Sequence, residues 1–314
     1  MKAVVVDKGS PSRVRLAEVA EPEVAADEAL IDVRASSLNL GETRRTMTVS
    51  DDGVRPGWDV AGVVVTGAKD GRGPQAGARV VGFLPDSGGW AERAAVAIDA
   101  LAELPATVSF EVAATLPVAG LTALYALDRG GSLLGKRVLI TGASGGVGVF
   151  ALQIARASGA HVTGLVRRAD TVAVARTAGA HEVIVSEDGA LLREHGPFDH
   201  VLESVGGTVF THALERLADD AELVVFGTSA EKAATIDVSQ FYSSGGHRLY
   251  GFILFHEVET HSAAAGLARL VRLVADGSLR PKIDRTYPFD QIGEAIEALW
   301  QRRINGKVVA TMGR

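Results

Sequence analysis

The sequence predicts an α/β protein in which a doubly wound parallel sheet is joined to a second, β-rich domain. Three observations carry this reading. Lys136 to Gly159, KRVLITGASGGVGVFALQIARASG, reads as strand, glycine-rich turn and helix. Beyond about residue 111, apolar strands alternate with helical stretches. Before about 112, short strands follow one another with turn signals between them and no long helix.

In the first part, strands are expected at 2–6, 28–35, 60–65 and 78–82, the last behind the turn signals Gly71, Gly73, Pro74 and Gly77. Strands at this spacing suit a compact, partly barrel-like domain. A helix over 120–127 leads into the strand 137–141. Further strands follow at 161–166, 182–185, 199–203 and 222–227, with helices over 170–178 and 207–217 between them. Alternation of this kind gives a parallel sheet with its ligand crevice at the carboxyl ends of the strands. The tail reads as a strand over 249–254, a helix over 261–276 stopped by Gly277-Ser278, a strand at 282–287, a helix at 290–300 and a strand at 306–310. The predicted division is 1–112, completed by 255–314, against 113–254.

Composition narrows the classes. The chain has 314 residues, enough for two cores, and with 47% hydrophobic and 22% charged residues it is a globular chain rather than a disordered one. The net charge is −6 and no basic cluster exceeds Arg44-Arg45, Arg167-Arg168 or Arg302-Arg303, which argues against nucleic acid. No apolar run reaches the ~18 residues of a membrane span. The opening MKAVVVDKGS turns polar too early for a signal peptide, so a cytoplasmic protein with no membrane partner is expected. Cysteine is absent, which excludes disulfides and thiolate metal ligands. His256-Glu257 and His261 resemble a metalloprotease pair at first sight. Five helical steps separate the histidines by about 140°, against about 40° for four, so they do not share a helix face and no protein metal site is expected.

The glycine turn carries the chemistry. Helix N-termini leave N–H groups unpaired and bear partial positive charge, so Ala143, Ser144, Gly145, Gly146, Val147 and Gly148 can receive a pyrophosphate. Gly145 and Gly148 hold the last two glycine positions of a dinucleotide fingerprint and Ala143 stands at the first, a pattern expected of a Rossmann domain and also found in plain tight connections. About 20 residues on, where an acidic residue would bind the ribose of NAD, the next strand ends in Arg167-Arg168. Two arginines suit a 2′-phosphate and hence NADPH (NADP), or are solvated surface. Gly206 and Gly227-Thr228 fall near other strand ends, where close approach to the cofactor and an ordinary turn are both compatible with glycine.

By this point the order of parts resembles the medium-chain dehydrogenase/reductase superfamily, and within it the zinc-free quinone oxidoreductases related to zeta-crystallin. The carriers are Ser37-Leu38-Asn39, the stretch PGWDVAG at 56–62, PVAGLTA at 117–123, ASGGVG at 143–148, DHVLESVGG at 199–207 and NGKVV at 305–309. The resemblance implies a GroES-like first domain completed by the tail, a Rossmann domain and a homodimer, for which the exposed edge strand at 249–254 is suited.

Zinc-dependent relatives place Gly-His-Glu where this chain has Gly57-Trp58-Asp59, so the comparison implies no zinc. Without a Lewis acid, conjugated acceptors such as quinones and enones are the implied substrates. The family's Asn-Phe-x-Asp-x-Tyr is kept only in part: Asn39 remains, Glu42 stands for aspartate and Arg44 for the tyrosine proposed as proton donor in enoyl-thioester reductases. Asn39 either orients nicotinamide or substrate through its amide or stabilises a turn. Trp58 would floor the substrate cleft, and Phe83, Trp90, Phe252 and Phe255 would give it an apolar wall, each being equally compatible with core packing. A short-chain dehydrogenase is excluded, because Tyr125, Tyr242, Tyr250 and Tyr287 are followed four residues on by Arg129, Gly246, Leu254 and Gln291, never by the required lysine. The expected activity is hydride transfer from NADPH to a quinone or enone; the rival is an NADPH-binding sensor or structural module without significant catalysis.

Overall fold

The structure is a computed structural model describing residues 1–243 and 245–313. It divides into two units: residues 1–121 with the described residues from 258 onward, and 122–257.

The first unit opens with a hairpin, β1 (Lys2–Val6) and β2 (Val14–Glu18), and the long strand β3 (Glu28–Leu38). Next come helix α1 (Leu40–Thr48), β4 (Asp59–Thr66), β5 (Arg79–Phe83), β6 (Arg93–Ala97), β7 (Leu101–Glu103) and helix α2 (Phe110–Ala114). β3 organises this unit. One edge pairs antiparallel with β4, while the other is divided, residues 28–32 pairing with β6 and 35–38 with the chain's last strand. β4 continues through β5 to β7.

The second unit begins in helix α3 (Leu121–Asp128), entered through a wide helical turn at Leu116–Gly120, and continues with β8 (Arg137–Ile140) and α4 (Gly146–Ala157). Then follow β9 (His161–Val166), α5 (Val172–Thr177), β10 (Glu182–Val185), β11 (Phe198–Glu203), α6 (Gly207–Leu214), β12 (Leu217–Val225), α7 (Val238–Ser243), β13 (Arg248–Gly251) and α8 (Leu254–Glu257). The six strands are parallel throughout, in the order β10-β9-β8-β11-β12-β13. The order reverses between β8 and β11, which fixes the crevice at their carboxyl ends. One face of the sheet is filled by Leu139, Leu165, Ile184, Val201, Phe210 and Leu223 among others. The chain then returns to the first unit with α9 (Ala263–Ala275), β14 (Ile283–Pro288), α10 (Ile292–Trp300) and β15 (Lys307–Thr311), β15 pairing with β3.

The parallel sheet and the separate β-rich unit agree with the sequence reading; four details differ. Residues 40–48 form a helix where none was expected. Asn39 caps it, and the Glu42 carboxylate accepts the Asn39 N–H at 2.8 Å, an arrangement that starts a helix despite Gly41. The strand expected at 249–254 stops at Gly251, because His256 and Glu257 turn back to hydrogen-bond the Ile253 carbonyl and make α8. The helix expected to reach 217 ends at Leu214, and Leu217 already pairs with Phe198 in the sheet. Finally, the division falls after Leu121 and Glu257 rather than after 112 and 254, since α2 packs on β3 and β4.

Candidate functional site

The crevice of the parallel unit is built from backbone. Ala143 N–H bonds to Leu165 O at 3.1 Å and Gly145 N–H to Gly142 O at 2.9 Å, which folds 142–145 into a tight turn. Val149 N–H is the first to find its partner one helical turn back, at Gly145 O, so the N–H groups of Gly146, Val147 and Gly148 lie at the open end of α4. The two fingerprint glycines do different things. A Cβ on Gly148 would lie 2.5 Å from Gly142 O and 2.8 Å from Ala143 Cα, so glycine there permits helix and turn to touch. A Cβ on Gly145 would meet only Gly142 O, at 3.2 Å, so the space beyond it is open. An open Gly145 beside a tightly packed Gly148 fits a pyrophosphate-binding turn. Ala143 is fully buried in the first position; Gly164 of β9 makes room for it, a Cβ there coming within 3.0 Å of the alanine methyl. Ser144 and Val147 are half-buried around the turn.

Gly206 and Gly227 have packing roles. Gly206 has φ +83° and stands against the backbone of Thr228 and Glu231, while a Cβ on Gly227 would press on Ser204. Both let the loop after β12, which includes half-buried Thr228, run beside the loop after β11. Arg167 and Arg168 are exposed at the carboxyl end of β9, next to β8. Arg168 Nε bonds Asp170 Oδ1 at 2.9 Å, which raises the pKa of the guanidinium and lowers that of the carboxyl; among the described residues Arg167 has no ion pair.

In the β-rich unit, Asn39 sits within a buried polar network that sequence reasoning did not find. Ser37 and Asp59 face each other across β3 and β4, and Ser37 Oγ donates to Asp59 Oδ2 at 2.5 Å. Asn39 Nδ2 donates to Asp59 Oδ2 at 2.8 Å and to Glu42 Oε1 at 3.2 Å. Lys307, at the start of β15, donates through Nζ to Asn39 Oδ1 at 2.5 Å and Leu38 O at 3.1 Å, and lies 3.5 Å from Asp59. Trp58 N–H closes on Glu42 Oε2 and Val118 N–H on Asp59 Oδ1. Asp59, Glu42 and Lys307 are all buried. Burial, then the neighbouring Asp59, pushes Glu42 well above the usual carboxylate range; burial holds Lys307 below the usual lysine value against the attraction of Asp59 and Glu42. Both amide hydrogens of Asn39 are thus committed inside the protein, and only a lone pair of Oδ1 is left. Three signals mark this network in the sequence: the Asn39-x-x-Glu42 spacing, and a charged residue heading each of two apolar strands, Asp59 and Lys307.

The expected aromatic wall is mostly core. Trp58 is 8% exposed, Phe83 1% and Trp90 0%, so in the β-rich unit they pack inward rather than present rings to a ligand. Phe252 is likewise buried in the parallel unit, its N–H on Val225 O, and Phe255 is half-buried in α8. A cavity of about 460 Å³ in the β-rich unit touches Phe83, but it is lined by Glu28, Asp86, Asp99 and Glu259, a poor match to an anionic cofactor. His256 lies in α8 and His261 beyond its end. Among the described residues no cluster of three His, Cys, Asp or Glu side chains is arranged to hold a metal, and no helix is long and apolar enough to cross a membrane.

Comparison with known proteins identifies the lineage. The family model for zinc-binding dehydrogenases matches residues 178–309. The quinone oxidoreductase of Pongo abelii is 30% identical over 322 residues, covering 95% of this chain and 93% of its own. The chain belongs to the medium-chain dehydrogenase/reductase superfamily, among its quinone oxidoreductases. A mitochondrial NAD(P)H oxidoreductase, RTN4IP1 of Bos taurus, is 31% identical, covering 81% of this chain and 69% of its own. The solved quinone oxidoreductase of Escherichia coli complexed with NADPH superposes with a TM-score of 0.89 at 25% identity, covering 99% of this chain and all of that one. As a member of this family the protein is an oxidoreductase.

Proposed function

We propose that the protein is an NADPH-dependent, zinc-independent reductase that passes hydride to quinones or other conjugated carbonyl acceptors such as enones. The observation that carries this reading is the open face of Gly145 at the α4 N-terminus, at the switch point of the sheet, with Arg167 and Arg168 ending the adjacent strand. The turn 143–148 holds the pyrophosphate and the two arginines the 2′-phosphate, Arg168 exchanging Asp170 for the ligand. The packing of Gly206 and Gly227 keeps the neighbouring loops, with Thr228, at the height of the crevice. The relatives named quinone oxidoreductase and the NADPH complex of one of them support this assignment.

When bound, the cofactor supplies the hydride, and the protein contributes orientation and exclusion of water. Asn39, locked by Lys307, Asp59 and Glu42, offers one fixed acceptor rather than a mobile amide. Reduction of a conjugated acceptor delocalises the incoming charge, so water serves as the proton source and no protein acid is required. Zinc independence rests on the sequence, in which Trp58 stands for the family's histidine and no cysteine occurs. We further propose a cytoplasmic homodimer, supported by the position of β13 at the sheet edge with Leu249 and Ile253 exposed. The test is NADPH consumption with 1,4-benzoquinone, 9,10-phenanthrenequinone and a simple enone, before and after dialysis against a chelator. Turnover that survives chelation is expected; turnover lost with the metal and restored by zinc would overturn the zinc-free reading.

A further inference from the structure

One buried carboxylate at the crevice has no part in the reading above. Glu203, the last residue of β11, is fully shielded from solvent at the switch point between β8 and β11. Its neighbours are backbone and hydroxyl donors rather than a cation. Oε1 accepts from Val205 N–H at 2.7 Å, Gly206 N–H at 3.1 Å and Thr141 Oγ1 at 3.2 Å, and Oε2 accepts from Gly206 N–H at 3.2 Å. Thr141 Oγ1 also accepts the Ser204 N–H at 3.0 Å. Thr141 is the residue before the glycine turn, and Ser204, Val205 and Gly206 form the turn after β11. One carboxylate therefore ties together the two loops that flank the crevice, and the side-chain-free faces of Gly142 and Gly227 both close on Ser204.

Burial pushes the Glu203 pKa above the usual carboxylate range, opposed by the N–H donors of Val205 and Gly206. An apolar residue would avoid that cost but would leave the Val205 and Gly206 N–H groups without these acceptors. Glutamine would replace one acceptor oxygen with an N–H₂ group facing a donor.

We infer that Glu203 is a positioning residue for the cofactor, whose carboxylate fixes the Thr141–Gly142 and Ser204–Gly206 turns in the spacing that nicotinamide-cofactor binding requires. This rests on the assignment of 143–148 as the pyrophosphate turn. The gain is preorganisation: the loops are held before the ligand arrives, so less ordering is charged against binding.

The experiment is NADPH fluorescence titration and steady-state kinetics on wild type, Glu203→Gln and Thr141→Val. Glu203→Gln is expected to raise the NADPH Kd about tenfold or more, while kcat at saturating NADPH stays within about threefold, because the chemistry follows the cofactor once seated. Thr141→Val, which removes only the hydroxyl between the loops, is expected to raise Kd at least threefold. If Glu203→Gln does not fold, Thr141→Val decides alone, and a smaller shift overturns the inference. So does a Glu203→Gln Kd within twofold of wild type, or a kcat that falls in step with the folded fraction. Wild type that fails to bind NADPH defeats the cofactor assignment instead.

Discussion

Replacing Lys307 by methionine removes, at almost constant volume, the one cation that among the described residues joins the Ser37–Asn39–Glu42–Asp59 network. Asp59, fully buried, then faces no positive charge, and Asn39 Oδ1 and Leu38 O lose their donor. Breaking a buried ion pair from one side costs about 3–5 kcal/mol, because the stranded charge keeps its desolvation penalty. The remaining polar contacts do not offset this, since Ser37 and Val118 already donate to Asp59 in the wild type. Adding Asp59→Asn removes the stranded charge, so the double variant is expected to recover about half of the loss, about 2 kcal/mol, and to lose less than the two single variants together.

Trp58, Trp90 and Trp300 all belong to the β-rich unit, so tryptophan fluorescence in urea follows that unit alone and avoids treating a two-unit chain as one transition. With a slope of about 2 kcal/mol per molar urea, Lys307→Met moves the midpoint down by about 1.5–2.5 M. A shift worth less than about 1 kcal/mol, or a double variant whose loss equals the sum of the single losses, would refute the buried network as described.

Three further outcomes are expected. Gly145→Ala and Gly148→Ala separate binding from packing: the Gly145 Cβ meets only Gly142 O, at 3.2 Å, so stability falls by less than about 1 kcal/mol while NADPH binding is lost. The Gly148 Cβ strikes Gly142 and Ala143, so that variant is also destabilised by about 1–3 kcal/mol, read by thermal unfolding. Arg167→Ala with Arg168→Ala lowers kcat/KM for NADPH about tenfold or more and leaves NADH within about twofold; an equal fall with both cofactors would remove the arginines from the phosphate site. His200 gives a pH dependence. Its Nε2–H donates to Ala126 O at 2.9 Å, its buried Nδ1 has no hydrogen-bond partner among the described residues, and burial lowers its pKa below the ordinary 6.5. The unfolded chain therefore binds more protons below about pH 6.5, so stability present at neutral pH is lost as pH falls through that value. His200→Gln should flatten the unfolding midpoint between pH 7 and 5.5, and an unchanged slope would exclude His200 as the cause.

The parallel unit was legible because its signals are local. The run 161–166 is largely β-branched and apolar and forms β9 without adjustment, and Gly145 caps α4 while Gly148 lies in its first turn, the strand, turn and helix order that the sequence predicts. The stretch LYGFIL, 249–254, reads as a strand in the sequence because an apolar run does not by itself distinguish a buried strand from a short helix. The polar network was hidden for a different reason. Lys307 meets Asn39 across 268 positions and Asp59 across 248, and a charged residue can be buried only when such a partner is present. Sequence placed Asn39 near the chemistry, but only the fold shows that its amide is already spent.

The most direct test of the central claim is the steady-state rate of 1,4-benzoquinone reduction with NADPH and with NADH, alongside a fluorescence titration of NADPH binding. The account predicts turnover with saturable NADPH dependence and a kcat/KM for NADPH about tenfold or more above that for NADH. Saturable NADPH binding with no turnover against benzoquinone, phenanthrenequinone or an enone would contradict it, and would make the protein a cofactor-binding module instead.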